Sequence, residues 1–133
     1  MKNLQVVAAI IIYQGKILCV QRGRHEFDYL SDKFEFPGGK VESGETGEEA
    51  LIREIKEELS MDIRIDSLFC TVEHQYPDFF IELNCFICRV SSYRHTLHVH
   101  QQSAWMDPGL LAELDWAEAD LPAVYQLIVE KPF

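Results

Sequence analysis

The sequence is short of positive charge. Its 133 residues carry 12 Lys and Arg against 22 Asp and Glu, for a formal net charge of −10. That balance excludes a protein that wraps duplex nucleic acid, where affinity comes from Lys and Arg neutralising phosphates. A phosphate-bearing ligand of so acidic a chain needs a divalent cation between them. Long apolar runs are also missing: the first, "VVAAIII" at 6–12, falls far below the ~20 residues that span a bilayer. It lacks a small-residue cleavage site, so it reads as a strand rather than a signal peptide. No membrane partner is expected, and the location expected is cytoplasmic.

Cysteine is scarce, and its pattern argues against metal or redox use. Cys19, Cys70, Cys85 and Cys88 all fall in apolar runs. The C-x-x-C of "CFIC" has no second pair, and residues i and i+3 of a strand face opposite sides of the sheet. Reduced, buried thiols are the expectation. Repeats and low-complexity linkers are absent too, so residues 1–133 read as a single domain.

What is present is a change of period. Val6 to Ile12 and Ile17 to Gln21 suggest a hairpin turned at Gly15-Lys16, and Phe34 to Phe36 a short strand cut off by Pro37, Gly38 and Gly39. Thr46 and Glu49 form a capping box, and from Gly47 to about Ser60 the residues Leu51, Ile52, Ile55 and Leu59 recur as one apolar stripe. Alternation returns over 62–73 and 79–90, joined near "YPD". A short strand ends around Trp105, "DPGLLAEL" suits a turn with a short helix, and Pro122 to Glu130 suits a last helix with Leu121, Val124, Leu127 and Ile128 inward. The order β-β-β-α-β-β-β-α predicts an α/β fold, a mixed sheet flanked by helices.

The first helix carries the chemistry. "REIKEEL" at 53–59 spaces Glu54, Glu57 and Glu58 at i, i+3 and i+4, which places three carboxylates on one face at a cost of roughly 0.2–0.5 kcal/mol per like-charged pair. At 100° per residue that face borders the apolar stripe. In a cleft there, burial would strengthen the repulsion until the carboxylates take up protons or cations. Magnesium suits them, since it prefers carboxylate oxygens and bridges to substrate phosphates.

The surrounding "GGKVESGETGEEALIREIKEELSM" resembles the Nudix box of the pyrophosphohydrolase superfamily, over residues 39 to 61. With "VVAAIII", "GKILCVQR", "KFEFPGGKVESGE" and "WAEADLP", the chain resembles the MutT-like branch and is most similar to bacterial CTP pyrophosphohydrolases. The resemblance implies a Nudix-type α/β/α sandwich and a nucleoside triphosphate pyrophosphohydrolase. Magnesium, or manganese in its place, would be held by the Gly38 carbonyl and by Glu54, Glu57 and Glu58. It implies further that Arg53 orients these carboxylates and that Glu45 supports the loop. The five residues Arg53, Glu54, Glu57, Glu58 and Glu45 are the implied catalytic set. Clustered carboxylates with metals provide what anhydride hydrolysis needs: neutralised phosphate charge and an oriented water.

Two positions depart from the pattern. Ser60 stands where the box has glycine, so the helix end requires a local adjustment. Val99 stands where relatives often carry a further glutamate, flanked by His98 and His100, either of which is a candidate base or extra ligand. For the substrate, Arg22 is a candidate phosphate donor. Phe79, Phe34 and Phe36 are candidates for stacking on a base, and Asp120 for reading its edge. CTP, dCTP or a modified form is the expected substrate. The alternatives are an 8-oxo-dGTP sanitising diphosphatase and, from another class, a non-catalytic nucleotide or metal sensor. Whether the protein is a monomer or a homodimer is left open.

Overall fold

The computed structural model describes residues 2–132. In chain order the elements are β1 (Lys2–Tyr13), β2 (Lys16–Gln21), β3 (Phe34–Glu35), β4 (Gly38–Lys40), α1 (Gly47–Leu59), β5 (Arg64–Gln75), β6 (Phe79–Arg89), β7 (Gln102–Met106) and α2 (Leu121–Glu130). Short 3-10 turns occupy Asp28–Leu30, Pro108–Glu113 and Glu118–Asp120. The expected mixed α/β sandwich is present, with one strand more than the sequence suggested. Gly38 to Lys40 does not merely end β3 but pairs with β1 as a strand of its own.

The reason lies in how β1 and β2 part. Their hairpin turns through Gln14 and Gly15, both with positive φ, and pairs only at Ile12 with Ile17 and Tyr13 with Lys16. Beyond that the strands diverge, and residues 34–40 fill the gap. On one side Phe34 and Glu35 pair with Gln21 and Val20. On the other, β4 pairs with Val6, Val7 and Ala8. Gly38 is demanded by this fit, because a Cβ there would meet the Val7 carbonyl oxygen at 1.9 Å. β7 lines the other edge of β2, while β6 runs parallel to β1 and is flanked by β5.

β1 is buried on both faces, which is why its apolar run is continuous rather than alternating. Ala8, Ile10 and Ile12 pack towards α2 with Val124 and Leu127. Val7, Ala9 and Ile11 pack towards α1 with Leu51, Ile55 and Leu59. Cys85 and Cys88 fall into these opposite cores, and all four cysteines are free thiols. Among the described residues no helix is long and apolar enough to cross a membrane.

α1 begins at the Thr46–Glu49 capping box, both of whose hydrogen bonds form. It ends at Ser60, which takes the left-handed conformation at φ 55°, with its Oγ 2.8 Å from His98 Nε2. The apolar stripe is displaced from the one expected: Ile52 is 49% exposed, whereas Ala50 is fully buried. The helix is rolled so that its buried arc runs from Leu59 through Leu51 to Ala50. Its acidic flank is thereby turned towards β4.

Candidate active site

That roll brings Glu54 onto the double-glycine strand. A Cβ built on Gly39 would lie 2.4 Å from Glu54 Cδ and within 2.7 Å of both carboxylate oxygens. Arg53 then gathers the neighbours. Its Nε and Nη2 each donate at 2.8 Å to the two oxygens of Glu45. Its Nη1 donates to Glu54 at 2.9 Å and to Glu57 at 3.3 Å, and Nη2 also reaches the Lys40 carbonyl. The Glu45 carboxylate additionally accepts the Glu42 amide at 2.8 Å. Hydrogen bonds from Arg53, then from Glu42, pull the Glu45 carboxyl down to about 2.

Glu58 has no cationic hydrogen-bond partner. Its Oε2 is buried with no hydrogen bond. Burial first, then the charges of Glu54 and Glu35, push its carboxyl up to about 8. Among the described residues no three His, Cys, Asp or Glu side chains converge as a ready ligand set, because Glu54 and Glu57 are turned to Arg53. The donors nevertheless fit a hard divalent cation. They are all oxygens, one of them is buried and unpartnered, and their mutual repulsion is what a cation relieves. Glu57, 59% exposed at its side chain, is free to turn.

Glu58, Gly38, Gly39 and Lys40 line one end of a cleft of about 980 Å³. At its floor Asp120 is only 6% exposed, and its Oδ2 accepts the Phe36 amide at 2.8 Å. Burial, then the Glu35 charge, push the Asp120 carboxyl up to about 8. One wall is aromatic. Phe27 stacks on Tyr29 with centroids 5.4 Å apart and faces Phe79 at 6.2 Å. Tyr76 stacks on Tyr29 at 5.2 Å, and its Oη accepts the Ala119 amide.

Of the residues expected from sequence, Arg22, Phe79, Asp120 and His100 do line this cleft. Phe34 and Phe36 do not: Phe36 packs on Trp116 at 4.7 Å, and Phe34 lies against the α2-side core. Both point away because side chains alternate along a strand, and it is Glu35 between them that faces the cleft. Glu35 joins Arg22 through one oxygen and His100 Nε2 at 3.2 Å through the other. His98 is outside the cleft, spent on Ser60. Val99, 63% exposed, lines the opening without a polar atom to offer. The sequence carried no expectation for Glu35, Phe27 and Tyr76, which also line the cleft. Only the alternation around Glu35 carried any local signal.

Comparison with known proteins gives a consistent result. The NUDIX domain family model matches residues 3–127. A CTP pyrophosphohydrolase of Escherichia coli (strain K12) is 35% identical over 124 residues, spanning 92% of this chain and 89% of that protein. An 8-oxo-dGTP diphosphatase of the same organism is 40% identical over 128 residues, spanning 96% and 98%. Among solved structures, the E. coli ORF135 protein superposes with a TM-score of 0.83 at 31% identity, covering 99% of this chain and 93% of that one. The MutT protein of methicillin-resistant Staphylococcus aureus 252 does so with a TM-score of 0.78 at 41% identity, covering 98% and 99%.

Proposed function

This chain belongs to the NUDIX domain family as a nucleotide pyrophosphohydrolase, and we propose that it hydrolyses CTP, dCTP or modified pyrimidine nucleoside triphosphates to monophosphate and pyrophosphate. Membership with relatives named as hydrolases sets aside the non-catalytic alternative. The observation that carries the base-recognition part of this reading is Asp120, buried at the floor with one oxygen fixed by the Phe36 amide. With its carboxyl pushed up to about 8 by burial and then by the Glu35 charge, Asp120 favours the neutral acid near pH 7. It then offers one donor and one acceptor, the complement of cytosine N3 and N4. The aromatic wall containing Phe79 and Phe27 gives the base a face to stack on, worth about 1–3 kcal/mol in other systems.

Glu54, Glu57, Glu58 and the Gly38 carbonyl would hold magnesium, which supplies neutralisation of phosphate charge and a more acidic bound water. The chain's own residues do the rest. Arg53 is a positioning residue: tied to Glu45, it fixes where Glu54 and Glu57 point. Gly39, lacking a Cβ, leaves room for the Glu54 carboxylate. Arg22, Arg24 and Lys40 line the cleft and give phosphate oxygens cationic partners.

A second reading, an oxidised purine triphosphate such as 8-oxo-dGTP, is favoured by the 40% identity to the E. coli 8-oxo-dGTP diphosphatase. The same neutral acid can also meet a guanine O6 and N1–H. A nucleotide panel assayed with and without magnesium, with products identified, tests both. The first reading expects the highest kcat/KM on cytidine nucleotides and pyrophosphate as product. Orthophosphate alone, or equal turnover without metal, contradicts it.

A further inference from the structure

Cys70 and Cys85 stand directly opposite each other on the antiparallel strands β5 and β6. A bulge makes this so: Leu68 pairs with Phe86 and Cys70 with Cys85, which leaves Phe69 as an extra residue on β5. Cys70 therefore packs with Val72 on the α2-side core, where it meets the row of Leu83, Cys85 and Ile87 from β6. Opposed residues of an antiparallel pair hold their Cα atoms about 4.5–5.5 Å apart, within the roughly 4.4–6.8 Å that a disulfide spans. A bridge here would link two strands that are already paired.

The two thiols are unequal. β5 is the last strand at one end of the sheet. Cys70 departs from the buried thiol expected of it, being half-buried, whereas Cys85 is fully buried. A hydrogen bond from Cys85 holds the Cys70 thiol below its ordinary value, against the opposing effects of burial and of the Glu130 charge. The same bond, then burial and the charges of Cys70 and Asp120, raise Cys85. The thiolate thus falls to the more accessible sulfur with a protonated thiol beside it, the arrangement of an oxidisable cysteine and its resolving partner. The other two cysteines lack it. Cys19 stands opposite Ala104 and Cys88 opposite Ile65, and burial raises both thiols.

We propose that Cys70 and Cys85 are a modification site, closing to a reversible disulfide when a hydroperoxide oxidises Cys70. The Cys70 thiolate attacks one peroxide oxygen, the O–O bond breaks, and the departing oxygen leaves with the proton that the thiol had shed. The Cys85 sulfur then attacks the sulfenic sulfur of Cys70. The S–S bond forms, the S–O bond breaks, and the hydroxyl leaves as water with the Cys85 proton. Two electrons pass from the pair of sulfurs to the peroxide, so each bridge consumes one hydroperoxide. The site lies outside the nucleotide chemistry and stands whether or not the pyrophosphohydrolase reading holds.

Hydrogen peroxide added to the folded, reduced protein tests this, with free thiols alkylated and the chymotryptic peptides read by mass spectrometry. Cleavage after Phe79 and Phe86 separates Cys70, Cys85 and Cys88. The expected product is lighter by two hydrogens, carries one bridge from Cys70 to Cys85 and reverts with dithiothreitol, while Cys19 and Cys88 react at least ~10-fold more slowly. In Cys85→Ala, dimedone should label Cys70 as the sulfenic acid, and Cys70→Ser should form no bridge. A bridge through another pair in the unaltered protein overturns the proposal. So does oxidation of Cys70 to sulfinic acid without a bridge, or survival of both thiols while glutathione in the same solution is consumed. These decisive readouts use the unaltered protein, so a variant that fails to fold does not remove them.

Discussion

Glu54 occupies the space that a side chain at Gly39 would fill, with the carboxylate carbon 2.4 Å from the position of that Cβ. The contact joins α1 to the strand wedged between β1 and β2, so the acidic flank and the cleft are positioned by one steric fit. Gly39→Ala must push Glu54 aside, at a stability cost of about 1–3 kcal/mol for overpacking. Thermal melts should show a folded variant with a lowered midpoint and turnover reduced at least ~10-fold, as expected when a catalytic group is displaced.

Arg53 makes its paired bonds to Glu45 through Nε and Nη2, a fork that a lysine cannot reproduce. Arg53→Lys keeps the charge, and should keep the fold, while releasing Glu54 and Glu57. Turnover is expected to fall by ~10–100-fold, the usual effect of losing a group that orients metal ligands. Steady-state assays over a magnesium series check this, and full activity at saturating magnesium would indicate that only metal affinity had changed.

Glu57 contributes little to the folded structure, being 59% exposed at its side chain and 3.3 Å from Arg53. Glu57→Gln should therefore leave the urea midpoint nearly unchanged while lowering kcat by ~10²-fold. An unaltered rate removes Glu57 from the site.

Asp120 couples stability to pH. Its carboxyl is raised to about 8 in the folded protein, against about 3.9 unfolded. Between those values the folded state holds a proton that the unfolded state has lost, so this group's contribution falls as pH rises from about 4 to 8. Urea denaturation of the metal-free protein should show a steeper loss of stability over pH 5–8 than Asp120→Asn does. Equal slopes would mean that Asp120 titrates normally.

The parts legible in the sequence are those encoded by neighbours along the chain. The capping box, the i, i+3, i+4 glutamates and the double glycine each declare themselves within a few residues, so α1 and its acidic flank could be placed from the letters alone. The roll of α1 could not, because Ile52 and Ala50 exchange exposure according to what β4 and β1 leave room for. Phe34 and Phe36 look like stacking residues until strand alternation assigns that face to Glu35. The Arg22–Glu35–His100 grouping draws on three separate segments, and the Phe27, Tyr76 and Phe79 wall on two segments some fifty residues apart. No local pattern encodes such meetings.

In the proposed reaction the α1 carboxylates hold divalent ions against a polyphosphate. Titration of manganese into the protein, followed by electron paramagnetic resonance with and without a nonhydrolysable cytidine triphosphate analogue, measures that binding. Saturable uptake that tightens with the nucleotide and is lost in Glu57→Gln and Glu58→Gln is the result predicted. Manganese that stays free at every protein concentration, or binds these variants as well as the unaltered protein, would contradict it.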